Sequence, residues 1–222
     1  AVFIEMPDMK KNSSFEIIIQ YEGIPEEAKN PPWDGGFVWD EDKNETPFIG
    51  VACEGTGASL WWPNKDHPSD EPDSVRLHIT VPDTLIAIGN GQLESIEKTD
   101  STATYTWLVK NPINNYNITL NIGDYVEISD TLINSSGVQK LNHFVLSYNK
   151  ETALRYFPQA REVIHFFEKI FGEYPFWEDG YKLVETPYAG MEHQSAIAYG
   201  NGYTTSGHYY MYDLVDYIIL HE

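Results

Sequence analysis

The amino-acid sequence predicts a mainly β fold followed by a shorter α/β segment. From Phe3 to about Tyr148, short runs rich in apolar residues are separated by clusters of Gly, Pro, Asn and Asp. After Lys150, apolar residues recur at helical spacing, and strand-like runs follow. We therefore expect an antiparallel β-sandwich or open barrel over residues 1–149 and an α/β segment over residues 150–222. The length of 222 residues suits one large domain or two small ones.

Residues Ser74 to Val81 give the clearest strand prediction. Apolar and polar residues alternate along this run, which is typical of a strand with one buried face. Turn residues such as Asn90-Gly91 separate the strand-like runs. Seven further runs are predicted as strands: Phe15–Tyr21, Phe48–Ala52, Leu85–Ile88, Thr102–Val109, Tyr116–Ile122, Asp124–Ile133 and Leu141–Tyr148.

The α/β segment begins with a predicted helix over Thr152–Phe171, and Gly172 is a natural helix end. Pro158 is expected in the first turn of this helix or at a kink. Two strands follow, at Tyr181–Glu185 and around Ser195–Tyr199. A last helix is predicted over His208–Glu222, with an apolar face formed by Met211, Leu214, Val215, Ile218 and Ile219.

The composition excludes several classes of function. The chain has 34 acidic and 14 basic residues, and a net charge of −20 repels both nucleic acid and an anionic membrane surface. Hydrophobic residues make up 41% of the chain, too many for a disordered protein. No apolar run approaches the roughly 20 residues that a membrane helix needs. The single cysteine, Cys53, excludes a scaffold held by internal disulfides.

The pair His221-Glu222 is the first candidate for chemistry. A histidine followed by glutamate on an amphipathic helix is how the H-E-x-x-H zinc site begins. The two histidines of that motif lie one turn apart on one helix face, so both reach one metal ion. The glutamate then takes a proton from the metal-bound water. The alternative is an exposed helix end without a metal.

A second candidate is the segment from Tyr188 to Gln194, which lies between two predicted strands. Its glycine lets the backbone approach a ligand closely. Glu192 is a candidate for capturing the free amine of a substrate, with main-chain pairing at the sheet edge for the rest of the ligand. The alternative is an ordinary loop with a solvated glutamate.

The loop that begins at Trp61-Trp62 is a third candidate. Its aromatic rings suit stacking on a sugar, whereas core packing under a long loop is the more frequent use of tryptophan. Asp66 and His67 follow in the same loop, but no other metal-ligating residue lies at useful spacing.

Taken in order, these motifs resemble the zinc aminopeptidase family that includes aminopeptidase N and the leukotriene hydrolases. Gly190-Met191-Glu192 is similar to the family's G-x-M-E-N signature, with His193 in place of the usual asparagine. His221-Glu222 is similar to the start of its H-E-x-x-H motif. The segment Trp62–Pro72 and the strand after it resemble the family's P-x-x-D-x-P region. Pro31–Trp39 resembles a subgroup from Bacteroidetes-type bacteria.

This resemblance implies an N-terminal β-sandwich saddle followed by the start of a thermolysin-like catalytic domain. It implies that Glu192 binds the α-amine of a peptide substrate with a free N-terminus, and that Gly190 and Met191 offer main chain to it. His221 is then the first ligand of one zinc ion and Glu222 the general base. The second histidine, the next zinc ligand and an oxyanion-supporting tyrosine lie beyond Glu222 in the family pattern.

We therefore expect the sequence to be a piece of a longer zinc aminopeptidase, cut within the H-E-x-x-H motif. Alone, it is expected to lack aminopeptidase activity and stoichiometric zinc, because a catalytic zinc site takes three protein ligands. The alternative is an extracellular β-sandwich module that binds carbohydrate or protein. We expect export to the periplasm or surface of a bacterium, with a cytoplasmic location as the other option.

Overall fold

The structure is a computed structural model that describes residues 3–6, 8, 10–65, 67–204 and 215–222. Within these ranges the chain forms the strands β1 (Gly36–Glu41), β2 (Pro47–Ala52), β3 (Val75–Pro82), β4 (Ile86–Gly89), β5 (Gln92–Lys98), β6 (Thr102–Val109), β7 (Leu120–Gly123), β8 (Tyr125–Asn134), β9 (Gly137–Leu146), β10 (Leu183–Glu185), β11 (Gly190–Met191) and β12 (Ile197–Tyr199). Its α-helices there are α1 (Lys150–Tyr156), α2 (Pro158–Phe171) and α3 (Tyr217–His221). The prediction of a mainly β fold is confirmed.

The strands form three sheets. One has the order β1-β2-β7-β4 and a second the order β3-β6-β5, and both are antiparallel. The third has the order β11-β12-β10-β9-β8, in which β10 runs parallel to β9 and to β12. This mixed sheet contains strands from both sides of residue 149, and the domain boundary proposed there stays a prediction.

The mixed sheet is covered on both faces. Side chains of one face join β3, β4 and β6 in a buried cluster that includes Ile79, Ala87, Trp107, Phe144 and Val184. Side chains of the other face join the three helices in a cluster that includes Val145, Ala153, Leu183, Ile164 and Ile219. The neighbours Leu183 and Val184 thus point to opposite faces, as successive strand residues do. The sheet is therefore buried between a β layer and a helical layer.

Several elements follow the sequence prediction closely. Strand β3 pairs with β6 from Val75 to Pro82. Its inward residues Ile79 and Val81 are buried, whereas the intervening residue His78 is exposed. Pro158 occupies the first turn of α2 and separates it from α1, because proline lacks the amide that would continue the preceding helix. The helix ends at Gly172, which has a φ of 97°.

Other elements differ from the prediction. The strand expected over Phe15–Tyr21 is absent, and the segment is exposed along its length. Its three consecutive isoleucines lack the alternation of apolar and polar residues that would let one face of a strand pack against a core. Residues 115–117 form a short 3-10 turn before β7, where a continuous strand was predicted.

Three strands, β1, β5 and β11, were missed by the prediction. Strand β5 is exposed at every position, so its side chains carry no signal of a buried face, and it is held by pairing with β6. Strand β1 follows a Gly-rich segment and pairs with β2.

No helix in the described part of the chain is long and apolar enough to cross a membrane.

Candidate functional site

The candidate site lies at the edge of the mixed sheet where β11 is the outermost strand. Strand β12 pairs in parallel with β10, with Leu183 opposite Ile197. Strand β11 pairs antiparallel with β12, with Met191 opposite Ala198. Residues Gly190 and Met191 therefore bring the chain to a sheet edge directly before Glu192.

The sequence predicts that a ligand pairs with the main chain at this edge, but the first two residues of the edge are not exposed. Gly190 and Met191 are buried, whereas Glu192 is exposed. A Cβ atom at Gly190 would lie 2.5 Å from Oε1 of Glu222 and 2.9 Å from Cγ2 of Ile218. Helix α3 therefore covers the face of the strand at Gly190, and glycine is the residue that leaves room for it.

The carboxylate of Glu192 is held by a residue from the β part of the chain. The hydroxyl of Tyr116 donates a hydrogen bond of 2.9 Å to Oε1 of Glu192, across 76 sequence positions. The next residue, Asn117, accepts a hydrogen bond of 2.6 Å from the backbone amide of Gln194. The 3-10 turn at residues 115–117 thus contacts the chain on both sides of His193.

Glu222 lies beside this edge and is half-buried. Burial raises the pKa of Glu222 to about 7, and the negative charges of Glu192 and Glu54 add to the shift. Both neighbouring charges disfavour ionisation of Glu222, so the three carboxylates share one region of negative potential. The contribution of Glu54, which comes from the loop after β2, was not predicted from the sequence.

Glu192 and Glu222 line one open cavity of about 430 Å³. Its lining includes Glu71, Tyr116, Tyr174, Glu192, Gln194, Ile197 and Glu222. The structure therefore brings two of the predicted site residues, Glu192 and Glu222, to the same cavity. The site is an acidic pocket with a sheet edge on one side and the end of a helix on the other.

His221 lies elsewhere. Its side chain is exposed, and its ring stacks on the ring of Tyr217 one helical turn earlier, with centroids 5.0 Å apart and planes 14° apart. It is not among the residues that line the acidic cavity. In the described part of the chain, no three His, Cys, Asp or Glu side chains are grouped to hold a metal ion. A zinc site that used His221 would need further ligands.

Helix α3 is anchored at its start by Asp216. The buried carboxylate of Asp216 accepts hydrogen bonds from the amide of Ile218 at 3.0 Å and from the hydroxyl of Tyr199 at 2.6 Å. Ile218 and Ile219 are buried against the mixed sheet, as predicted. The helix predicted over His208–Glu222 spans only Tyr217–His221 among the described residues, because the backbone at Asp216 is extended and caps the helix there. Val215 is half-buried, and the predicted contacts Met211 and Leu214 lie outside the described residues.

His193 is fully buried, and neither ring nitrogen has a hydrogen-bond partner among the described residues. Burial lowers the pKa of His193 to about 3, because a charged imidazole is poorly solvated in the interior. The ring is therefore neutral at physiological pH. The sequence marked this position as a departure from the family's asparagine.

The tryptophan loop packs onto the protein. Trp61 and Trp62 are half-buried beside a cluster that includes Val109, Ile113 and Ile118. Trp61 also meets Phe37 edge to face, with ring centroids 6.2 Å apart. This arrangement favours the packing interpretation. His67 contacts the Ser69 hydroxyl at 2.8 Å, and Asp66 lies outside the described residues.

Comparison with known proteins identifies the fold. No protein-family model matches the sequence, and neither does any curated protein. Among solved structures, an M1 zinc metallopeptidase from Deinococcus radiodurans matches with a TM-score of 0.66 and 18% identity. A mutant two-domain M1 zinc metallopeptidase bound to L-tryptophan matches with a TM-score of 0.67 and 18% identity. A mutant of the Deinococcus radiodurans enzyme bound to a Tyr-Ser-Ala substrate matches at 0.62 and 18%.

Each of these matches covers 80% of this chain and 40% of the solved chain. The chain thus spans about 40% of the length of the structures that it matches. At this level of identity the similarity shows the fold: the chain has the architecture of the corresponding part of M1 zinc metallopeptidases.

Proposed function

We propose that the chain is the N-terminal part of a zinc-dependent aminopeptidase that hydrolyses N-terminal peptide bonds. The observation that carries the proposal is the acidic cavity shared by Glu192 and Glu222. The fold similarity to M1 zinc metallopeptidases supports it, as does the order of the family-like motifs along the sequence. On this proposal, residues 1–149 are a β-sandwich and residues 150–222 begin a thermolysin-like catalytic domain.

The acidic cavity suits the recognition of a free α-amine. Glu192 is exposed at the end of β11, and the charges of Glu54 and Glu222 add to the local negative potential. An ammonium group is attracted to such a site, and a blocked N-terminus is not. Pairing with Glu192 would fix the first residue of a peptide, so cleavage would be confined to the N-terminal bond.

The backbone of β11 would position the rest of the substrate. Strand β11 is the outermost strand of the mixed sheet, so one side of its main chain is not paired within the sheet. On this proposal a peptide would pair with that unpaired side of the main chain beside Glu192, while α3 covers the face of the strand at Gly190. The side chain of Glu222 lies against Gly190, next to the path of such a peptide.

Zinc would polarise the scissile carbonyl and activate water when bound. Among the described residues, His221 is the candidate zinc ligand, and a single histidine does not by itself hold a metal ion. Glu222 is the candidate general base, since a carboxylate with a pKa near 7 both takes and returns a proton at neutral pH. We propose that the chain alone is inactive and that the full-length protein supplies the remaining ligands.

A Glu192→Ala change in the full-length protein tests this assignment. We expect kcat/KM for amino acid 4-nitroanilides to fall by roughly a hundred-fold or more, because a charged hydrogen-bond partner of the substrate is lost. Zinc content, measured by elemental analysis, should stay unchanged. Glu162→Ala is the matched control, since the side chain of Glu162 is 71% exposed on α2. Loss of zinc in parallel with activity would instead make Glu192 a structural residue or a ligand.

The carbohydrate-binding alternative lacks an observation in its favour. The rings of Trp61 and Trp62 pack against the protein, and the fold similarity to metallopeptidases extends over 80% of the chain. Specific binding to a glycan array, abolished by Trp61→Ala, would restore that alternative.

A further inference from the structure

Two neighbouring residues of the β part of the chain reach directly into the candidate site. The hydroxyl of Tyr116 donates to Oε1 of Glu192 at 2.9 Å, and Oδ1 of Asn117 accepts from the amide of Gln194 at 2.6 Å. One side chain thus holds the carboxylate, and the next holds the backbone two residues further along. The described contacts of Glu192 include no other hydrogen bond from a side chain.

The turn that carries Tyr116 is itself fixed on both sides. The amide of Tyr116 donates to the Asn114 side chain at 3.4 Å, and the Asn115 side chain donates to the carbonyl of Lys65 at 2.7 Å. The side chain of Asn90 donates to the carbonyl of Asn117 at 2.9 Å. Because these hydrogen bonds hold the turn in place, the hydroxyl of Tyr116 has a fixed position and can orient the flexible side chain of Glu192.

We propose that Tyr116 is a positioning residue for Glu192: its hydroxyl holds Oε1, so that Oε2 is presented to the ammonium group of the substrate. This inference rests on the proposed function. An exposed glutamate samples many rotamers, and a hydrogen bond to one oxygen reduces the entropy lost when the other binds the substrate. Tyr116 therefore acts on the substrate through Glu192.

The chemistry of Tyr116 suits this role. Burial raises the pKa of Tyr116, and its contact with Glu192 raises it further, so the hydroxyl remains a donor at neutral pH. The aromatic ring packs separately, against the cluster of Ala52, Tyr188, Met191 and Ala198. A Tyr116→Phe change keeps that packing and removes the hydroxyl alone.

The test uses the full-length protein with Tyr116→Phe, assayed on its best amino acid 4-nitroanilide. We expect kcat/KM to fall about ten- to a hundred-fold, mainly through KM, because a hydrogen bond to a charged group is lost. Zinc content and thermal midpoint should match those of the unmodified protein. The matched control is Tyr125→Phe, which removes a buried hydrogen bond of 2.7 Å to the carbonyl of Glu185. This control should lower the thermal midpoint and leave KM unchanged.

A double-mutant cycle separates positioning from a general loss of structure. In a Glu192→Ala background, Tyr116→Phe should cause less than a two-fold further change, since the carboxylate that the hydroxyl positions is already absent. Additive losses, or an unchanged KM in Tyr116→Phe alone, would overturn the inference. If the unmodified protein does not hydrolyse free-amine substrates at all, the proposed function fails and the inference with it. If it does and KM is insensitive to Tyr116→Phe, only the inference fails.

Discussion

At the scale of single residues, the described ranges contain three buried basic side chains: Lys182, His143 and His193. The ammonium of Lys182 donates to the carbonyls of Gly91 and Ser195 at 2.7 Å each, which ties the β4–β5 turn to the turn after Glu192. Burial lowers the pKa of Lys182 to about 7, of His143 to about 4 and of His193 to about 3. Each group is easier to protonate in the unfolded chain than in the folded one.

Because His143 and His193 are buried, we expect the free energy of unfolding to fall in acid. Their folded pKa values lie below the usual 6.5, so the unfolded chain binds more protons once the pH falls below 6.5. Each histidine should lower the free energy of unfolding by about 2 kcal/mol between pH 6.5 and pH 5. His143→Gln should reduce the difference between the urea midpoints at pH 7.5 and pH 5. His165→Gln, at an exposed position of α2, should not. An equal acid loss in both variants would contradict this explanation.

At the scale of elements, the short helix α3 depends on contacts at its start. Asp216 caps the helix, and its carboxylate also accepts hydrogen bonds from Tyr199 and from the side chain of Asn201, at 2.6 and 2.9 Å. A helix of five residues is too short to be stable alone. Its placement against the sheet, and with it the position of Glu222, therefore rests on Asp216 and on the buried Ile218 and Ile219.

Asp216→Ala should lower the free energy of unfolding by roughly 2–4 kcal/mol, because the helix loses its cap and the buried hydroxyl of Tyr199 loses its acceptor. Asp216→Asn keeps an oxygen acceptor and should cost less than half as much. Chemical denaturation of the full-length protein and its two variants measures the difference. Equal losses for the two substitutions would show that the cap contributes little.

Element prediction succeeded where a single sequence pattern decides the structure. Strand β3 and helix α2 each have one apolar face, and the sequence shows the corresponding period of two or of 3.6 residues. It failed where tertiary contacts decide. Strand β11 has only two residues, is buried by contacts from other parts of the chain, and has no periodicity to detect. Strand β5 is polar and exposed and depends on β6.

At the scale of the whole molecule, the candidate site lies where the β part and the α/β part of the chain meet. Glu192 and Glu222 come from the α/β segment, and local motifs were enough to single them out. Tyr116 and Glu54 come from the β part, and no local pattern marked them. Their contributions arise from contacts across the fold, such as the 76 positions between Tyr116 and Glu192, which a single sequence does not reveal.

We propose that the acidic cavity around Glu192 recognises the free N-terminus of a peptide. The most direct measurement is mass spectrometry of products after incubating the full-length protein with one peptide in two forms, free and N-acetylated. We predict stepwise removal of residues from the free N-terminus and no cleavage of the acetylated peptide, because acetylation removes the ammonium charge that Glu192 would bind. Equal cleavage of the two peptides, or cuts at internal bonds, would contradict the account.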